Sequence, residues 1–167
     1  MNGSGTVYGT EQSFTTTAPP VILTATPLAA FGAVCTGEAA GPNSFTINGS
    51  NLTNADITVG PLNGYTFSTT AGGTYTASLT LTQGGGNYSQ EVFVKFMPVV
   101  NPMNYDGNIP VSGGGATAIT VAASGSGIHT GPEVTTNAAT MVTTSSARLE
   151  GAVGDAGCSQ TMDYGFE

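Results

Sequence analysis

The sequence predicts an all-β fold, an antiparallel sandwich, on three observations. Charged residues make up only 7% of the 167 positions, against roughly a quarter in an average soluble domain, and Thr, Ser, Gly, Ala and Asn fill the polar places. Thr and Val suit a pleated strand, and Gly, Asn and Pro suit the turns between strands. Second, apolar and polar residues alternate at period two through many short runs, and no amphipathic helical pattern interrupts them. Third, turn-forming phrases separate these runs at roughly eight- to twelve-residue intervals, which is the rhythm of a sandwich.

Taken in order, the predicted strands are 12–17 "QSFTTT", 21–26 "VILTAT", 44–50 "SFTINGS", 56–60 "DITVG", 65–70 "YTFSTT", 74–82 "TYTASLTLT", 90–97 "QEVFVKFM", 105–111 "YDGNIPV" and 116–124 "ATAITVAAS". Between them lie "GPN", "PLNG", "TAGG", "QGGGN" and "SGGG", and Asn48-Gly49, Asn63-Gly64 and Asp106-Gly107 read as tight turns. Alternation assigns the faces. In 74–82 it sends Tyr75, Ala77, Leu79 and Leu81 inward. In 90–97 the inward set is Val92, Val94 and Phe96, because the other phase would bury the ammonium of Lys95 at great cost. The last strand turns Ile119, Val121 and Ala123 inward. The predicted core is Phe45, Ile47, Ile57, Val59, Phe67, Leu79, Leu81, Val92, Val94, Ile119 and Val121.

Charge excludes several functions. Two Lys+Arg against ten Asp+Glu give a formal charge of −8, which repels a phosphate backbone and an anionic lipid surface alike, so no nucleic-acid partner is expected. No apolar run reaches the ~18 residues of a membrane span, so no membrane insertion by this segment is expected. The opening "MNGSGTVYG" lacks the basic and apolar regions of a leader, and an export signal is expected to lie outside this piece. Cys35 and Cys158 lie far apart in the sequence, and we read them as free thiols in small apolar sites in preference to a mutual disulfide.

Pro19-Pro20 and "GSGIHTGPE" read as linkers, since Pro removes a ladder donor and extends the residue before it. They divide the chain into 1–18, 19–129 and 130–167. "GTVYGTEQSFTT" is similar to the closing strands of a fibronectin type III-like domain of the kind found in surface proteins of Bacteroidetes. "PEVTTNAATMVTTSSARLEGAVGDAGCSQTMDYGFE" resembles the opening strands of the next such module. "SFTINGSNLTNADITV", "YTFSTTAGGTYTASLTLT", "EVFVKFMP" and "YDGNIPVSGGGATAITVAASGSG" resemble the Ig-like repeat that sits beside such modules in large secreted and gliding-type adhesins. The resemblance implies a complete Ig-like sandwich at 19–129, flanked by partial fibronectin type III-like strands at both ends. It further implies an extracellular or cell-surface location, export by the type IX system and a spacer role in an adhesin array.

Residues able to do chemistry are few. The single histidine, His129, lies among glycines, and Cys35 has no evident base beside it, so no catalytic residue is assigned and no enzyme is expected. No Cys/His cluster suits zinc, and no cofactor-binding residue is assigned. Calcium is the candidate cation, drawing on Asp56, Asp106, Glu38 and Glu91, with Asp106 in "NYDGN" its candidate ligand. Tyr65, Phe67, Tyr75, Phe93 and Tyr105 are the aromatics available to a surface glycan. A Lys–Asn isopeptide bond would need a buried Lys, whereas Lys95 points outward. The end strands cannot close a sandwich alone, which predicts pairing with each other, with a second copy, or with neighbouring repeats of the same protein. The alternatives to a spacer are a carbohydrate- or protein-binding module and an accessory region of a secreted hydrolase.

Overall fold

The computed structural model describes residues 5, 9–100, 102–158 and 165, and among them it contains thirteen strands and no helix. In chain order the strands are β1 (Ile22–Ala25), β2 (Gly32–Cys35), β3 (Ala40–Leu52), β4 (Ile57–Val59), β5 (Tyr65–Ser68), β6 (Leu79–Leu81), β7 (Gly86–Phe96), β8 (Met103–Asn104), β9 (Gly107–Gly113), β10 (Ala116–Ala123), β11 (Gly125–Ile128), β12 (Glu133–Thr136) and β13 (Gly151–Asp155). The end of the segment read as the opening strands of a following module, 159–164 and 166–167, lies outside the described residues.

Two four-stranded antiparallel sheets, ordered β1-β3-β7-β5 and β10-β9-β4-β6, form the sandwich. The all-β prediction is met. Side chains from both inner faces merge into one core. Phe45 and Ile47 of β3, Val92, Val94 and Phe96 of β7, and Phe67 of β5 face Ile57 and Val59 of β4, Ile109 and Val111 of β9, and Val121 of β10. Burying such side chains against each other is the main favourable term in folding, worth roughly 1.5–3 kcal/mol apiece. Alternation along β7 is as the outward placement of Lys95 required, with Val92, Val94 and Phe96 all fully buried. Leu79 and Ile119 sit at the margin, packed against the core but only partly buried.

A third sheet, β2-β11-β8, closes one end, with β2 parallel to β11 and β8 antiparallel to it. Beneath it four rings form a second packing centre. Tyr65 and Phe96 stack with centroids 4.9 Å apart, and Phe31 and Tyr105 meet Phe96 at 5.7 and 5.4 Å. Tyr105 is also pinned by its hydroxyl, which accepts hydrogen bonds from the main-chain N–H groups of Val99 (3.0 Å) and Val100 (2.9 Å).

Several strand assignments change. Residues 12–17 form no strand: residues 9–20 are exposed, and no strand among the described residues pairs with them. The predicted strand 74–82 is two pieces. Thr76 bridges Phe67 in the first sheet, then Leu79–Leu81 pairs with β4 in the second. A segment that changes sheets cannot keep one inner face, so Ala77 is exposed and Tyr75 only half-buried. Asn48-Gly49 is not a turn but the middle of β3, where Gly49 pairs with Leu23 on one side and Tyr88 on the other. Asn63-Gly64 is a turn, and Asp106-Gly107 spans the short loop that leads into β9. Residues 125–128, read as linker, are β11, and 32–35 are β2. The last two strands, β12 and β13, pair with each other as an antiparallel ribbon whose residues are all exposed.

Candidate functional site

Asp106 follows β8 and lies at an open cleft of about 360 Å³ lined by Ala30, Gly32, Ala33, Asn104, Asp106, Ser124, Gly125 and Ser126. Its position is fixed locally first. The Asn104 side-chain oxygen Oδ1 accepts from the Asp106 N–H at 2.7 Å, and Nδ2 of the same amide donates to Asp106 Oδ2 at 3.0 Å. Then it is fixed across the sheet, since Oδ1 accepts from the Gly125 N–H at 3.0 Å. An ionised carboxylate accepting such bonds ties the β8–β9 loop to the first residue of β11. Both oxygens are therefore engaged in holding the third sheet in place.

The other carboxylates proposed for calcium are not brought to Asp106. Asp56 precedes β4, Glu38 follows β2, and Glu91 lies on β7 and accepts from Ser44 Oγ at 2.7 Å. Among the described residues no three His, Cys, Asp or Glu side chains stand close enough together to hold a metal ion.

Tyr65 brings an unpaired hydroxyl into the core. It is 2% exposed, and its hydroxyl is the only buried side-chain polar atom among the described residues without a hydrogen-bond partner. Burial, and secondarily the negative charge of Asp106, push its pKa from 10 up to about 12. The phenol thus stays protonated and neutral, the form that low dielectric favours.

The aromatic candidates for a glycan platform divide into two groups. Tyr65, Phe67 and Tyr105 are buried. Tyr75 and Phe93 are half-buried. The Lys95 ammonium lies 4.5 Å over the Tyr75 ring, an outward cation–π contact that uses the face a sugar would stack on. His129 is exposed immediately after β11.

The cysteines are the principal correction. Cys35 and Cys158 are joined in a disulfide, with Cα atoms 5.6 Å apart and 123 positions of sequence between them. Parallel pairing of β2 with β11 sets Cys35 opposite Ile128. The chain returning after β13 is held at the same place, where the Cys158 N–H donates to the Thr130 carbonyl at 2.9 Å. Reading the two cysteines as parts of separate modules hid this pairing, as did missing both β2 and β11. The one available cue was the count, because two cysteines admit a single pairing.

No protein-family model matches this chain, and no curated protein matches it either.

Proposed function

We propose that the chain is a non-enzymatic structural segment of a large extracellular adhesin-type surface protein, a spacer that carries a distal adhesive domain away from the cell. In this reading 19–129 is the complete module, and 1–18 and 130–167 belong to its fibronectin type III-like neighbours. The observation that carries it is the ribbon β12–β13, which follows a finished sandwich and leaves Val134 and Val153 63% and 36% exposed. A two-stranded ribbon has no core of its own and gains stability when further strands or a neighbouring face cover it. Neighbouring repeats, or a second copy through its end strands, supply such cover by strand addition.

Two further features support the reading. The side chains of Asn104 and Asp106 use their hydrogen bonds to fix the β8–β9 loop and tie it to β11, as expected of a scaffold. The Cys35–Cys158 disulfide suits an oxidising compartment such as the cell surface.

Glycan-array screening of the full chain tests the spacer reading: no selective binding is expected, and saturable binding to one glycan class would replace it with the carbohydrate-binding alternative. Light scattering after size exclusion tests the association. The mass is expected to rise above 16.6 kDa with concentration, and a constant monomer would remove self-association while leaving the spacer.

A further inference from the structure

A chain that works under tension is only as extensible as the covalent path that carries the load. Here that path has a shortcut. Cys35 is the last residue of β2, and Cys158 is three residues beyond β13. Between them, in one covalent loop, lie β3 through β13, which include all of the second sheet, three of the four strands of the first, and the exposed ribbon. Only β1 and β2 lie on the amino-terminal side of the closure.

We infer that this disulfide is a load bypass. Tension entering from the amino-terminal side runs through β1 and β2 to Cys35, crosses the sulfur–sulfur bond to Cys158, and leaves without stretching residues 36–157. The inference rests on the spacer reading for its biological use, though not for its mechanics. At the junction the entering strand β2 and the chain returning at Cys158 both meet the end of β11 and the residues just after it. Thr36 donates from both its N–H (2.9 Å) and its hydroxyl (3.1 Å) to the Ile128 carbonyl, and Cys158 is hydrogen-bonded to Thr130 two residues further on.

The bypass protects the element that needs it most. Hydrogen-bonded ladders peel one pair at a time under load, and the ribbon β12–β13, with every residue exposed, has the least burial to resist peeling. It lies inside the loop. Without the disulfide, the same load would pass along the ribbon before reaching the core. With it, the ladders in series among the described residues are the four-residue β1 against β3 and the four-residue β2 against β11.

Single-molecule stretching of the full chain, held by handles at its two ends, tests this. In the oxidised chain the folded part is expected to release only Val21–Cys35, about 50 Å of contour at the extended-chain rise. Adding a phosphine reductant to the folded molecule, or making Cys35→Ser, is expected to release a further length of about 400 Å from residues 36–157. Equal release in the two states, or two free thiols by mass spectrometry of the non-reduced protein, would overturn the bypass. The reductant arm acts on protein that has already folded, so it decides the matter even if Cys35→Ser fails to fold. Selective glycan binding would sink the spacer reading without altering these lengths, and equal lengths would sink the bypass without altering that reading.

Discussion

Tyr65 places a hydroxyl where nothing bonds it, and two measurements follow from that residue alone. Removing an unsatisfied buried polar group is neutral to stabilising, so Tyr65→Phe is expected to keep the fold and raise stability by up to about 1 kcal/mol, read as a higher melting temperature. The pH dependence has a definite sign. The folded state holds the Tyr65 proton more tightly than the unfolded chain does, so this contribution is complete below pH 10 and is lost as pH climbs toward about 12. Burial raises Tyr75 and Tyr88 in the same direction. Wild type should therefore lose stability across that alkaline window, and Tyr65→Phe should lose less, by about 2–3 kcal/mol for a shift of this size. An identical alkaline profile in both proteins would contradict the burial of the phenol. Val94, 0% exposed, gives the opposite case: Val94→Asp should abolish cooperative melting, since nothing in the core would compensate a carboxylate. Leu79→Asp should be milder, because Leu79 is only partly buried at the sheet margin.

At the scale of elements, β11 is the most instructive strand. "GSGI" carries no alternating apolar signal, yet Gly125 and Gly127 are buried because larger neighbours fill the space a side chain would take. A Cβ on Gly125 would meet the Phe96 ring at 2.7 Å, and one on Gly127 would meet Pro98 Cβ at 2.8 Å. The glycines are core positions whose volume is supplied by other strands. Gly125→Ala is thus expected to cost about 1–3 kcal/mol through overpacking against Phe96, measured as a lower denaturation midpoint. Ala substitution of the intervening half-buried Ser126 should change it little. Gly113 is stricter, with a φ of +128° and the Asp56 carbonyl crowding any Cβ.

For the whole molecule, the disulfide outweighs any single strand. Closing a loop of 123 positions removes chain entropy from the unfolded state worth about 5 kcal/mol in the chain-entropy account. Reduction should accordingly lower the melting temperature by many degrees. Because β12–β13 is exposed throughout while the sandwich holds its own core, the order of loss is also fixed. In a Cys158→Ser chain, limited proteolysis should cut within 131–158 first and leave a resistant fragment ending near Ile128. Simultaneous digestion of the sandwich would show that the closure, and not the core, holds the module together.

The sequence by itself determined the fold class, the phase of β7 through Lys95, and most of the core, because alternation and turn residues are local signals that a pleated strand must obey. It also placed Asp106 at the loop before Gly107, where the side chain proves to be a joint between strands. What only the tertiary structure decided is non-local. Whether Thr76 and Leu79 share a sheet depends on which neighbours they meet, and whether "GSGI" is linker or core depends on the rings of Phe96 and Tyr105 lying against it. Cys35 finds Cys158 because parallel pairing of two short strands, neither legible alone, brings positions from opposite ends of the chain within bonding distance.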